Sequence, residues 1–322
     1  DLPASATPKV DAAGAAAAAA RFSPIGARPD EAHLVVWPTR DQGGRLAWVV
    51  LPRVPKGLPT APRVVIDAEN GDVLEARDLV VFATASMYPA NPVKTPDLQT
   101  LDIALAPEGG KLSNAFLQAN NCVDNKTVKP VNFFGFNQSM HVCDLVQSAT
   151  ADGNGNFVYA PADEPGSPES KRDEFSELSM YYHAARAYAF FRDLQGDPDA
   201  QVVVDKPLRV IANLQLPPGV SSGNFGAAGN PDAPLEPFSN AFFSPAGGGL
   251  GSLFSQLYGF DSGALWFGQG PQRDYAYDGD VVYHEFGHAV VDRTLKLGAW
   301  TIDARGAIAA PGAMNEALSD YF

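Results

Sequence analysis

The 322-residue chain is poor in sulfur and in positive charge. It holds 2 cysteines and 4 methionines, and sets 23 Lys and Arg against 37 Asp and Glu for a net charge of −14. So acidic a balance argues against nucleic acid as a partner, because phosphate contacts need a basic face. Long hydrophobic runs are also missing, and no segment is apolar for long enough to span a bilayer. No positively charged, apolar leader opens the chain at Asp1, so the expectation is that any secretion signal has been removed. The two cysteines lie 21 positions apart, which leaves a choice between one disulfide and two buried thiols. What is present is 45% hydrophobic and 10% aromatic residues, the composition of a globular protein with length for two cored domains.

Histidine is scarce as well, at five residues, yet two of the five stand together. Tyr283-His284-Glu285-Phe286-Gly287-His288 reads H-E-x-x-H inside an apolar run from Val281 to Val291. On a helix His284 and His288 project from one face, one turn apart. Two imidazoles so placed hold one Zn²⁺ through ring nitrogens and leave room for a third ligand and a water. Glu285 then sits beside the metal rather than on it, where a carboxylate takes a proton from water. The plain alternative is an amphipathic core helix with two incidental histidines.

Downstream, Pro311-Gly312 opens what reads as a second helix, running to Phe322. Glu316 and Asp320 are four apart and share a face. Glu316 is the expected third zinc ligand, and Asp320 the expected acceptor for the free ring N–H of a zinc-bound histidine. An ordinary acidic surface helix is the alternative.

These two strings, H-E-F-G-H and G-A-M-N-E-A-L-S-D, resemble the gluzincin metallopeptidases, specifically the thermolysin family. The resemblance runs back to about residue 170. It takes in the aromatic stretch Ser179–His183 continuing through Tyr188–Phe191, then Asn240-Ala241-Phe242-Phe243, Trp266–Gly270 and Asp280-Val281-Val282. It implies a secreted zinc metalloendopeptidase with Glu285 as general base and His284, His288 and Glu316 on the metal. Asp320 and Asn315 would steady the histidines, and Asn240 with Ala241 would form a substrate-lining edge strand. The spacing from His288 to Glu316, 28 positions, is nearer the fungalysin branch and implies an extra loop over residues 292–312. Asp280 matches a calcium-ligand position of the family, and calcium stays open. The family's helical second half, with its oxyanion-stabilising His, has no counterpart in this chain, since no His follows His288. The expectation is a C-terminal helical domain or fragment as partner, alongside polypeptide substrates. The alternative is a catalytically incomplete zincin-fold half that serves as a secreted binding or structural protein. In this secreted context the Cys122–Cys143 pair is expected as a disulfide.

The expected fold class is α+β: a zincin-type catalytic half over residues 97–322, preceded by a small α+β domain over residues 1–90 and a Pro-punctuated linker over 91–96. In the first domain Val10 to Arg21 is Ala-rich and helix-forming. Strand patterns follow at 33–37, 45–51 and 63–67, and Asn70-Gly71 turns the last of these into 73–76. Helix, strands and V-I-D-A-E-N-G-D-V-L resemble the PepSY-type propeptide domain that precedes thermolysin-like peptidases, implying a proform with the stretch 86–96 as the maturation site.

Beyond the linker, 101–105, 131–136, 202–204 and 208–212 read as strands, and 175–194 as a long helix with a buried face. Asp152–Tyr159 reads as a hairpin turn in preference to a calcium loop. Residues 162–171 and 217–237 read as loops, and the glycine-rich 245–251 as a flexible loop, since no Lys-Ser/Thr follows it for a phosphate. His141 and His183 have no ligand partner at useful spacing and read as packed or surface histidines.

Overall fold

Alternating apolar and polar residues build the first of two units, Asp1–Phe82 with Gln195–Ala200. The computed structural model describes residues 6–23, 25–39, 43–54, 61–78, 83–133, 136–162, 173–195, 202–203, 207–220, 228–246, 249–260, 262–270, 274–297, 301–304 and 306–321. The first unit holds helix α1 (Ala12–Ala19), whose N-terminus is capped by Asp11 accepting from the Gly14 N–H at 2.8 Å. Four strands follow, β1 (Ala32–Thr39), β2 (Gly43–Val50), β3 (Pro62–Asp67) and β4 (Val73–Asp78), paired antiparallel in that order. Ala15 and Ala19 of the helix pack against Val50, Val64 and Ile66 of the sheet. Alanine lets helix and sheet approach closely but buries little area, so this core is thin. The β3–β4 turn carries Gly71 at φ +82°, the left-handed conformation that the Asn-Gly pair predicts.

The second unit, Ala83–Leu194 with Gln201–Phe322, begins with a two-stranded ribbon of β5 (Thr84–Met87) and β6 (Gln99–Asp102). Residues 91–96, read as a linker, lie in this second unit, as do residues 83–90. Next come β7 (Leu117–Phe133) and β8 (Phe136–Val146), a long hairpin bulged where Lys126 takes φ +63°. Cys122 and Cys143 are joined by a disulfide across it. Helix α2 (Glu174–Gln195) is buried along most of its length, and β9 (Leu208–Leu216) then lies parallel to β7. The remaining elements are β10 (Glu236–Pro237), β11 (Ala241–Ser244), α3 (Gly249–Tyr258), β12 (Ala264–Gly268), α4 (Gly279–Thr294), the hairpin β13 (Thr301–Asp303) and β14 (Gly306–Ile308), and α5 (Ala310–Tyr321). The large sheet runs β11-β12-β9-β7-β8, with β10 added to β9. Its β11 is an edge strand. The mixed α+β class is therefore met, by helices and sheets in both units.

Several expectations needed correction. Gly249 and Gly251 belong to α3, not to a loop, because Phe254 of that helix stacks on buried Trp266 at 4.2 Å and tertiary packing overrides glycine's poor helix propensity. The strand expected over 101–105 ends at Asp102, after which Ile103 and Leu105 turn into the core as loop residues. Val202 and Val203 form a buried bend rather than a strand, and Val204 lies outside the described residues. The loop over 217–237 ends in strand β10, and its residues 221–227 lie outside the described residues, as do 163–171 of the expected loop 162–171 and 134–135 of the strand expected over 131–136. The turn at Asp152 is built by one carboxylate accepting from the Asn154 and Asn156 N–H groups.

Candidate metal centre

Helix α4 starts on a capped, crowded end. The Asp278 carboxylate accepts from the Asp280 N–H at 3.0 Å, and the Gly279 N–H donates to the Ala90 carbonyl at 2.9 Å. A side chain at Gly279 would begin 2.6 Å from the His183 ring, so only glycine allows that seat. The Pro-punctuated loop supplies more: Lys94 Nζ bonds Asp280 at 2.6 Å, and Asn91 Nδ2 reaches Asp278 at 3.3 Å. Asp280 is thus an exposed carboxylate engaged by a lysine at the mouth of the helix.

From that end α4 divides into two faces. Val282, Phe286 and Ala289 turn into the core, where Phe286 meets Phe191 and Tyr188 of α2. His284 and His288 emerge on the opposite side, with Nε2 atoms 3.1 Å apart. Helix α5 crosses this face at Gly287, where an added Cβ would lie 2.8 Å from the Ser319 Cα. The missing side chain lets α5 come close enough for Glu316 Oε2 to stand 3.3 Å from His284 Nε2 and 3.4 Å from His288 Nε2. Donor atoms of His284, His288 and Glu316 all fall within 4.8 Å of one another, and among the described residues this is the one such group of three.

The second helix also fixes the rings. Asp320 Oδ1 lies 2.7 Å from His284 Nδ1, and Asn315 Oδ1 lies 2.8 Å from His288 Nδ1. Each oxygen is an acceptor, so each Nδ1 donates its N–H there and each ring turns its Nε2 toward the other and toward Glu316. Two ring nitrogens and a carboxylate oxygen then converge on one point, as the ligand atoms of a single metal ion do. Two imidazoles and one carboxylate form a nitrogen-rich set suited to Zn²⁺ and ill suited to the all-oxygen preferences of Ca²⁺ or Mg²⁺. The group can hold a metal ion, and its donor chemistry fits zinc.

Glu285 lines the same cleft as the trio, 8% exposed, with its carboxylate accepting from the Phe243 N–H of β11. Burial raises its carboxyl above the usual carboxylate range, against the pull of His288, His284 and the Phe243 N–H. A cation at the trio would draw it back down. Because the Phe243 N–H faces Glu285, alternate residues of β11 turn the same way, and the Ala241 backbone faces the cleft too. The Asn240 carbonyl is taken by the Gly268 N–H at 3.0 Å, while its residue lines the cleft beside Ala241. Between β11, α4 and α5 this cleft has a volume of about 660 Å³.

His284, Glu285, His288, Asn315 and Glu316, with Asn240 and Ala241, thus line one cleft, and Asp320 stands behind the His284 ring. Asp280 stands apart at the helix mouth. Ser319, whose hydroxyl lies 3.0 Å from His288 Nδ1, was not picked out from sequence. Its signal was available, since it sits four positions after Asn315 on the same helix face. The Phe243 N–H leaves no trace in sequence, being backbone. No protein-family model matches this chain, and no match to it is found among curated proteins.

Proposed function

We propose that the chain is a secreted zinc metalloendopeptidase of the thermolysin-like type. The observation that carries this reading is the convergence of His284 Nε2, His288 Nε2 and Glu316 Oε2 beside a buried Glu285 and an open strand edge. Zn²⁺ held by these three side chains would supply acidification of a water and polarisation of a carbonyl. The chain's own residues do the rest. The Ala241 backbone on β11 binds the peptide as an added strand, laying its scissile carbonyl across the cleft. Glu285 takes a proton from the attacking water as the new C–O bond forms. It returns that proton to the leaving nitrogen as the C–N bond breaks, giving one acid and one amine. Asp320 and Asn315, with Ser319, hold the imidazoles in the tautomer that leaves both Nε2 atoms bare. The disulfide is in keeping with secretion.

The first unit, a helix on a four-stranded antiparallel sheet, we assign as a PepSY-type prodomain, so that the chain is a proform. Among the described residues, no Arg, Tyr or further His joins the cleft lining. We therefore assign oxyanion stabilisation to a helical domain or fragment that completes the cleft. The test is peptide hydrolysis by the zinc-loaded protein, alone and after limited proteolysis, against Glu285→Gln. Hydrolysis lost in the variant with zinc retained supports the reading. Zinc binding without hydrolysis under any of these conditions favours a zincin-fold binding protein instead.

A further inference from the structure

The histidine stripe of α4 does not stop at the metal trio. His284, His288 and Asp292 follow one another at four-residue steps, and all three line the cleft. Lys296 lines it one step further on, just past the helix end, where its backbone takes φ +52° and its N–H donates to the Val291 carbonyl at 3.0 Å. Asp292 is half-buried, and no hydrogen bond or ion pair engages its carboxylate among the described residues. Around it the cleft walls include Phe243, Pro245 and Leu297, which offer apolar surface.

We propose that Asp292 makes this end of the cleft a subsite for a Lys or Arg side chain of the peptide substrate, a selectivity that rests on the peptidase reading. An aliphatic stem lies against apolar walls while its charged end seeks a carboxylate, and the cleft lining offers both. A carboxylate held partly out of water without a partner gains most from an incoming cation. Its charge is disfavoured by burial, and the Lys296 charge opposes that effect. Lys296 is exposed and forms no ion pair with Asp292, so it can swing aside at little cost.

The experiment uses three sets of peptides, identical except for Lys, Leu or Glu at each position flanking the cut, and two readouts. Cleavage is measured with the zinc-loaded protein, and binding is measured by fluorescence anisotropy on Glu285→Gln. At one position the Lys peptide should be cleaved and bound about tenfold better than the Leu peptide. Asp292→Asn should bring that ratio to about one with the Leu peptide unchanged within roughly twofold, and Asp292→Lys should turn the preference toward Glu. Zinc content and circular dichroism check that both variants fold. A Lys preference that survives Asp292→Asn overturns the proposal. So does a Glu preference in the unaltered protein that disappears in Lys296→Met. Cleavage without a Lys preference removes the subsite alone, whereas Lys-selective binding without any cleavage removes the peptidase reading and leaves the subsite standing.

Discussion

Two clusters of polar side chains in the second unit invite comparison: the trio between α4 and α5, and a buried group around the start of α2. In the buried group, Asp173 caps α2 by accepting from the Phe175 and Ser176 N–H groups, and Tyr277 donates its hydroxyl to it. Asp274 accepts from Gln269 Nε2 at 3.0 Å and from the Ala276 N–H at 2.9 Å. Ser176 Oγ stands within reach of both carboxylates. Having one hydrogen, it can donate to only one of them, and the other contact needs a proton on a carboxyl. That agrees with burial pushing Asp274 up to about 7. Every carboxylate oxygen in this group is engaged by a neighbour. In the trio the ring Nδ1 atoms are likewise used, but both Nε2 atoms and Glu316 Oε2 converge on one another at the cleft wall, 3.1 to 3.4 Å apart. The histidines divide the same way: His141 is buried and bonded to Asp124, and His183 is buried against Tyr283, whereas His284 and His288 open to the cleft. Clustering alone marks structure; convergence of unspent donors marks a site.

The largest expected effect breaks the chemistry without touching the trio. Glu285→Gln should lower peptide hydrolysis by at least about a thousandfold while zinc stays bound, as measured by turnover and metal analysis side by side. Loss of zinc in that variant would mean Glu285 belongs to the ligand set after all. Next, Asp320→Ala should weaken zinc binding by about 10- to 100-fold through the freed His284 ring, read by competition with a chromophoric chelator. Unchanged affinity would show that Asp320 does not orient the ligand.

On the buried side the expected signal is stability against pH. Asp274 has its folded pKa raised above the unfolded value, so its contribution is fully present below about pH 4 and is lost as pH rises through about 7. The loss amounts to roughly a few kcal/mol, at a slope approaching about 1.4 kcal/mol per pH unit. Burial raises Glu177 to about 7 and gives the same sign. His183 works in the opposite direction: burial lowers it to about 3, so its contribution is lost as pH falls below about 6.5. Asp274→Asn should therefore flatten the decline between pH 4 and 7 in thermal melts, and an unaltered slope would place the proton elsewhere. The smallest effect is at the helix crossing. Gly287→Ala should cost about 1–3 kcal/mol in stability through contact with Ser319, and should weaken zinc binding by moving Glu316 outward.

Most of the trio was legible in sequence because helices impose fixed spacing. H-E-x-x-H and N-E-x-x-S-D each declare which residues share a face, so Asn315, Glu316 and Asp320 could be named with His284 and His288. Spacing within each helix says nothing of how two helices cross. Gly287 stood in a variable position of the motif, and its role is to admit Ser319. In the fold, the strands of the first unit followed period-two alternation and their turn followed Asn70-Gly71. The Pro-rich 86–96 has a second aspect that spacing does not carry. Strand β5 runs on to Met87, and the loop that the prolines impose from Pro89 supplies Ala90, Asn91 and Lys94 to the mouth of α4. The buried group around Asp274 carried no signal either, because its two segments, 173–176 and 269–277, lie far apart in sequence and pair only after folding.

One measurement reaches the central claim directly: the zinc stoichiometry of the purified chain, by titration after chelation and by elemental analysis. One zinc per chain, retained in Glu285→Gln and lost in His284→Ala and His288→Ala, is the predicted result. A chain that takes up no zinc, or takes it up equally after both histidines are replaced, would contradict the metal centre and the function built on it.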